Sequence, residues 1–99
     1  MALTRGLLRL KMERLGEEHP DTLVELAMMG ILARRAGKMD MAGELLEKAW
    51  TRLRSVVGGR DIRLAIVSAA YGEICLTQND LEKAESLYRQ AYGLSLIHI

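Results

Sequence analysis

The sequence predicts an all-α fold in which antiparallel helix hairpins stack side by side as an α-solenoid. The first observation behind this prediction is an internal repeat, because residues 16–57 are followed by a weaker copy of themselves at an offset of 42 residues. The matching pairs are Gly16 and Gly58, Ala27 and Ala69, Gly30 and Gly72, Ala42 and Ala84, Leu45 and Leu87, and Ala49 and Ala91. The second observation is that apolar residues recur with helical spacing, and the third is that no stretch alternates like a strand. A fixed period in this range is typical of stacked repeats.

Five helices follow from the apolar spacing and from the breaks between the apolar segments. The first spans residues 2–15, where leucine and methionine recur three and four positions apart and Gly16 ends the helix. The second begins at Pro20, which suits a first helical position because no amide donor is needed there. A last helix follows Asn79, which together with Glu82 resembles a capping box. The three middle helices are predicted at about 20–36, 40–56 and 62–77.

These helices divide residues 1–93 into about two and a half repeats. Residues 2–15 form the second helix of a partial repeat, residues 20–57 form repeat one, and residues 62–93 form repeat two. A hairpin of this kind cannot bury its apolar face alone, so each hairpin is expected to stack on its neighbours.

Small residues are predicted where the two helices of a hairpin approach each other most closely. Gly30 and Ala42 lie on opposite helices of the first hairpin, and Gly72 and Ala84 do the same in the second. Trp50 is expected between the two units with its indole N–H at the edge. The other predicted packing residues are Leu26, Met29, Ala33, Leu45, Leu46, Ala49, Leu53, Val56, Leu64, Val67, Ser68, Tyr71, Ile74, Cys75, Leu87, Tyr88 and Ala91.

Charge and cysteine content argue against several classes of protein. A net charge of +1 argues against a broad nucleic-acid-binding surface. The single cysteine excludes an intrachain disulfide and a cysteine-based metal site. The first residues lack the pattern of a signal peptide, and no apolar run is long enough to span a membrane. We therefore expect a cytoplasmic protein that binds neither nucleic acid nor membranes, with the basic residues of 1–15 forming either a solvated face or a partner-binding patch.

No set of residues has the pattern of a catalytic site. His19 would need a carboxylate, cysteine or histidine partner to act as a base or ligand, and its loop context favours a linker role instead. Cys75 falls at a packing position. Glu17 and Glu18 precede a helix whose dipole they complement. The segment VVGGRD lacks the Lys-Ser/Thr of a phosphate loop. We therefore predict no catalytic residue, no cofactor and no metal ligand, and hence a protein that is not an enzyme.

The repeated small and apolar positions resemble those of the tetratricopeptide repeat. The positions that carry the resemblance are Gly30, Ala42, Leu46 and Ala49 in one unit and Gly72, Ala84, Tyr88 and Ala91 in the next. The segment LGEEHPDTL and the long period are similar to the kinesin-light-chain-like branch of that family. The resemblance covers residues 2–93 and implies a right-handed superhelix whose concave face holds an extended peptide.

The resemblance also implies which residues line that groove. Carried over position by position, they are Val24, Ala27, Met28, Ile31, Arg34 and Arg35 in one unit and Ile66, Ala69, Ala70, Glu73, Leu76 and Thr77 in the next. The kinesin-light-chain-like branch often has paired asparagines where this chain has Ala27-Met28 and Ala69-Ala70. Since asparagine can bind a ligand backbone through both a donor and an acceptor, this departure argues against that mode of peptide capture.

The implied function is a protein–protein interaction scaffold that binds a protein or peptide. Met28 and Ile31 would supply apolar contacts, and Arg34 and Arg35 would either bind acidic groups of the partner or complement the negative end of their own helix. The alternative is a sensor or oligomerisation arm of a larger signalling ATPase or transcription regulator. Self-association through exposed apolar ends of the array is also expected, because both ends present faces that neighbours would cover.

The last six residues, LSLIHI at 94–99, depart from the repeat pattern. They resemble the translated end of a sequencing adapter, which predicts a non-native tail on a fragment of a longer protein.

Overall fold

The computed structural model describes residues 2–16 and 18–96, and these form five α-helices. The helices are α1 (Ala2–Leu15), α2 (Pro20–Arg35), α3 (Met39–Val56), α4 (Ile62–Thr77) and α5 (Leu81–Leu96). No strand occurs among the described residues. The predicted all-α class is confirmed, and the predicted boundaries of the first four helices agree with the structure to within about one residue.

The helices form two hairpins, α2/α3 and α4/α5, with α1 packed on the outside of α2. Consecutive hairpins meet in two places, since α4 packs against both α3 and α2. The backbones of α3 and α5, by contrast, do not approach within 8 Å of each other over their described residues. The first helices of the hairpins are therefore in contact while the second helices are splayed, so α2 and α4 lie on the inner side of the curved array.

The first helix of each hairpin begins in the same way. His19 and Asp61 are separated by the repeat offset, and both are extended residues that precede the first helical turn. The His19 Nδ1 accepts from the amide of Asp21 at 3.1 Å, and the Asp61 Oδ1 accepts from the amide of Arg63 at 2.8 Å. These bonds satisfy one of the amides that a helix start leaves without a backbone partner. The predicted linker residue His19 is thus the cap of α2.

The turn inside each hairpin is also the same. Gly37 and Asn79 have positive φ values of 80° and 63°, one residue past the helix cap. In the first turn Lys38 donates its amide to the Ala33 carbonyl at 2.9 Å, and in the second Asp80 donates to the Cys75 carbonyl at 2.8 Å. This is the Schellman arrangement, which favours glycine or asparagine at the left-handed residue.

The prediction that Asn79 caps α5 is wrong by one residue. Asp80 is the cap, because its Oδ1 accepts from the amide of Lys83 at 3.3 Å. Asn79 instead closes the preceding helix, and its left-handed backbone places it outside the new helix.

The core is a continuous set of small and branched apolar residues shared by α2, α3, α4 and α5. Every packing residue predicted in α4 is buried, as are Ala42, Leu46, Ala49 and Leu53 of α3. Two predictions in α3 are wrong in degree: Leu45 is only half-buried, and Val56 is 44% exposed. Val56 lies in the last turn of α3, and Val57 packs against the core in its place.

The packing face of α2 is broader than its sequence suggested. Gly30 and Ala33 are buried as predicted, but Leu26 and Met29 are half-buried, while Thr22 and Leu23 are buried although neither was predicted. The reason is that α2 packs against α1, α3 and α4 together, so more than one stripe of its surface is covered.

The close approach predicted at Gly30 is confirmed. A Cβ atom built on Gly30 would lie 2.7 Å from Leu46 Cγ and 3.4 Å from the Ala42 carbonyl oxygen. The second hairpin is less tight, because a Cβ on Gly72 would meet Leu87 and Tyr88 atoms at 3.4 Å.

Helix α5 continues through Leu96, so residues 94–96 of the segment predicted as a tail extend a helix. Residues 97–99 of that prediction lie outside the described residues.

Candidate partner-binding groove

The twelve residues predicted to line a groove lie on α2 and α4, the two helices of the inner side. Six of them are exposed, namely Met28, Arg35, Ile66, Glu73, Leu76 and Thr77. Five are half-buried, namely Val24, Ile31, Arg34, Ala69 and Ala70. Ala27 is 3% exposed and belongs to the hydrophobic core, so its side chain contributes to helix packing rather than to open surface.

Three of the exposed residues are large and apolar. Met28 is 43% exposed, Ile66 is 57% exposed and Leu76 is 52% exposed. Large apolar side chains that share one side of a protein are typical of interaction surfaces, whereas single exposed ones are common everywhere.

An ion pair crosses this side near the carboxyl ends of α2 and α4. Arg34 Nη2 lies 3.1 Å from Glu73 Oε2, and both side chains are more than a third exposed. The acidic group that Arg34 was predicted to find on a partner is therefore present within the chain itself. Because the pair is exposed, we assign it a contribution of only about 0–1 kcal/mol to stability. Arg35, next to it, is exposed.

A second ionic contact joins the amino-terminal ends of the same helices. Arg63 holds Asp61 in a fork, with Nε 3.0 Å from Oδ1 and Nη2 2.8 Å from Oδ2. Its Nη1 also lies 3.5 Å from Asp21 Oδ1 on α2. Hydrogen bonds from the Arg63 guanidinium and amide lower the pKa of Asp61 to about 2, since they stabilise the carboxylate. The inner side is thus tied at both ends by charge.

Neither ionic contact was predicted from the sequence. Asp21 and Arg63 do occupy equivalent positions, one repeat offset apart, and this spacing was a signal that adjacent first helices would bring them close. Arg34 and Glu73 are not at the repeat offset, so their pairing depends on how α2 and α4 lie side by side.

The outer side contains Trp50, which lies between the two units as predicted. Its indole Nε1 donates to Ser68 Oγ at 3.0 Å and to Gln90 Oε1 at 3.1 Å. The Arg54 guanidinium carbon lies 4.7 Å from the centroid of the indole, and the Tyr71 ring lies 5.8 Å away. These contacts join α3, α4 and α5, so Trp50 fixes how one unit packs on the next.

Cys75 is buried, as its packing position predicted. Burial raises the pKa of its thiol, which disfavours the reactive thiolate. Over the described residues, no three His, Cys, Asp or Glu side chains are grouped so that they could hold a metal ion. No helix in the described part of the chain is both long and apolar enough to cross a membrane.

Comparison with known proteins agrees with this architecture. The family model of the tetratricopeptide repeat matches residues 23–96, which includes both hairpins. No curated protein matches the chain significantly over its sequence. Tetratricopeptide repeats are non-catalytic units that generally mediate contacts between proteins. With two matching hairpins, repeated caps and a family match over most of its length, the chain belongs to the tetratricopeptide repeat family.

Proposed function

We propose that this chain binds an extended segment of a partner protein across the inner side formed by α2 and α4. The observation that carries the proposal is the set of exposed apolar side chains on those two helices, Met28, Ile66 and Leu76. The family match supports the general class of work, and the exposure of these residues supports the choice of face.

The residues exposed on the same two helices also suggest which residue types the bound segment would contain. Apolar side chains of the partner would contact Met28 and Ile66, since burial of apolar area is the main favourable term in such contacts. The exposed Arg35 guanidinium could bind a carboxylate of the partner. The segment we propose is therefore apolar with an acidic residue near one end. We also propose that the protein works in the cytoplasm, where disulfides are rare, because its single cysteine is a free, buried thiol.

Selection from a displayed library of random peptides, with the full chain immobilised, would provide the probe. The affinity of a selected peptide would then be compared between wild type and Met28→Glu by fluorescence polarisation. A buried carboxylate without a partner disfavours binding, so we expect the Kd to rise at least tenfold, or about 1.4 kcal/mol. Met28 is exposed, so the fold should tolerate the change.

Met41→Glu is the matched control, because Met41 is 37% exposed but lies on α3 rather than on α2 or α4. Its Kd should equal that of wild type. Equal weakening by both substitutions, or selected peptides that bind Met28→Glu as tightly as wild type, would contradict the proposed face.

A further inference from the structure

A separate cleft opens between α1, α2 and α3, away from the proposed groove residues. Its volume is about 120 Å³, and it is lined by Leu8, Met12, Thr22, Leu23, Leu26, Lys48 and Arg52. A water molecule takes a share of about 30 Å³ in the liquid, so the cleft could hold about four waters or one small ring system.

The internal repeat shows which chemical group suits this space. The same offset of 42 residues that relates the hairpins also relates the cleft to the surroundings of Trp50. Leu8 corresponds to Trp50, Met12 to Arg54, Leu26 to Ser68 and Lys48 to Gln90. One repeat offset later, these positions hold the indole of Trp50 between α3, α4 and α5.

The packing of the helices is the same at the two places. Helix α1 packs on α2 as α3 packs on α4, and in neither case do the Cα atoms of the two second helices approach within 8 Å over the described residues. The difference is that Leu8, a half-buried aliphatic residue of α1, occupies the position at which α3 has the indole of Trp50. The cleft is therefore where an aromatic ring lies in the equivalent unit.

Two further features of the cleft indicate which polar groups a ligand would carry. Thr22 is 3% exposed, and its Oγ1 is buried without a hydrogen-bond partner among the described residues, which is costly unless a ligand or water satisfies it. Lys48 and Arg52 bring two positive charges to the cleft. The Arg52 Nη1 lies 3.3 Å from Glu18 Oε1, but both groups are exposed, so a second carboxylate can compete for it.

We infer that the cleft between α1, α2 and α3 binds a small planar aromatic molecule that carries a carboxylate. The ring takes the place equivalent to that of the Trp50 indole between α3, α4 and α5. The carboxylate lies beside Lys48 and Arg52, and Thr22 contributes a hydroxyl. A free molecule fits better than a peptide side chain, because the two cations favour a carboxylate close to the ring, whereas a peptide tryptophan brings neutral amides there.

Indole-3-acetate is the probe, and binding to the ¹⁵N-labelled full chain is followed by NMR titration. We expect a Kd on the order of 1 mM, with amide shifts at Leu8, Thr22 and Lys48 and none at Met28. The variant Leu8→Trp copies Trp50, the residue one repeat offset later, and should fill the cleft. It should weaken binding at least tenfold and raise the thermal midpoint.

Leu7→Trp is the matched control, since Leu7 is 42% exposed on the same helix and does not line the cleft. It should bind the probe like wild type. Lys48→Gln, which copies Gln90, should weaken indole-3-acetate by about threefold to tenfold and leave neutral indole unchanged.

Three results would overturn the inference. They are absence of binding by wild type at about 10 mM probe, equal binding by wild type and Leu8→Trp, and equal binding of neutral N-acetyltryptophanamide and indole-3-acetate. The last result would reject the carboxylate and assign the cleft to a peptide side chain. Because the shifted amides are mapped on wild type, the site remains testable even if Leu8→Trp fails to fold.

Discussion

Two glycines inside helices, Gly30 and Gly43, differ in what an added methyl group would contact. At Gly30 the added atom would lie 2.7 Å from Leu46 Cγ, which real structures do not tolerate without movement. At Gly43 the nearest atoms are Gln78 Nε2 at 3.5 Å and Ile74 Cγ2 at 3.7 Å, both ordinary contacts. The same sequence change therefore has opposite expected effects at the two positions.

We expect Gly30→Ala to lower the free energy of unfolding by about 1–3 kcal/mol, because overpacking outweighs the better helix propensity of alanine. Gly43→Ala should raise it by about 0.5–1 kcal/mol, since only the propensity changes. Urea denaturation followed by circular dichroism measures both. A Gly30→Ala variant as stable as wild type would mean that α2 and α3 can separate at this point without loss.

At the scale of the helix, the two equivalent caps differ in charge. Asp61 is held by Arg63, which lowers its pKa to about 2, whereas the cap of α2 is the imidazole of His19. A carboxylate whose pKa is lowered by folding stabilises the protein fully above its unfolded pKa of about 3.9, and this contribution is lost as the pH falls toward 2.

Asp61→Asn should remove this pH dependence while keeping the cap, because asparagine caps helices about as well as aspartate. We expect the thermal midpoint of the variant to fall less than that of wild type between pH 5 and about pH 2.5. Asp80→Asn is the control, since that carboxylate caps α5 through the Lys83 amide rather than a guanidinium. If Asp80→Asn removed as much of the pH dependence as Asp61→Asn, the Arg63 fork would not be its source.

At the scale of the whole molecule, stability depends strongly on contacts between neighbouring units, because the continuous core extends across both hairpins. The described residues form two complete hairpins, and α1 leaves Leu7, Leu10 and Met12 exposed. Stacked repeats gain stability from each interface, so we expect the free energy of unfolding of this chain to be low. A single substitution that removes most of a buried core side chain should then be enough to unfold the chain.

We expect Leu46→Ala to reduce the free energy of unfolding by about 2–5 kcal/mol, because Leu46 is 0% exposed. Leu45→Ala should reduce the free energy of unfolding by less, because Leu45 is only half-buried. The reporter is Cys75, whose burial should protect its thiol in the folded state. Reaction with an aromatic disulfide reagent should be slow for wild type and much faster for Leu46→Ala. Equal rates for the two alanine variants would show that Leu45 and Leu46 contribute alike.

The helices could be predicted from the sequence because their ends are marked locally. Gly16, Pro20 and Gly37 limit where a helix can run, and each has the role that its residue type suggests. Asn79 and Asp80 were harder to assign, since both residue types cap helices. Comparison of Asn79 with its repeat equivalent Gly37 would have identified it as the left-handed residue.

The candidate groove was less accessible to prediction than the helices. Its twelve positions came from a family resemblance, which places them on the correct helices but gives no information about burial, as Ala27 illustrates. The Arg34–Glu73 pair depends on the lateral packing of two helices, and periodicity within one helix does not determine that packing. The ligand inferred for the cleft beside Leu8 required both the repeat offset and the observed arrangement of the helices, and neither was sufficient alone.

The matching turns at Gly37 and Asn79 have a consequence for how such chains grow in evolution. Each turn is closed by backbone hydrogen bonds between residues about five positions apart. The residues that reverse the chain are therefore encoded within one short segment of the gene. A tandem duplication of that segment would deliver a hairpin that already has its bend, and new interfaces could diverge afterwards. Lineages could thus lengthen the array by copying whole units, with little selection needed at the joins.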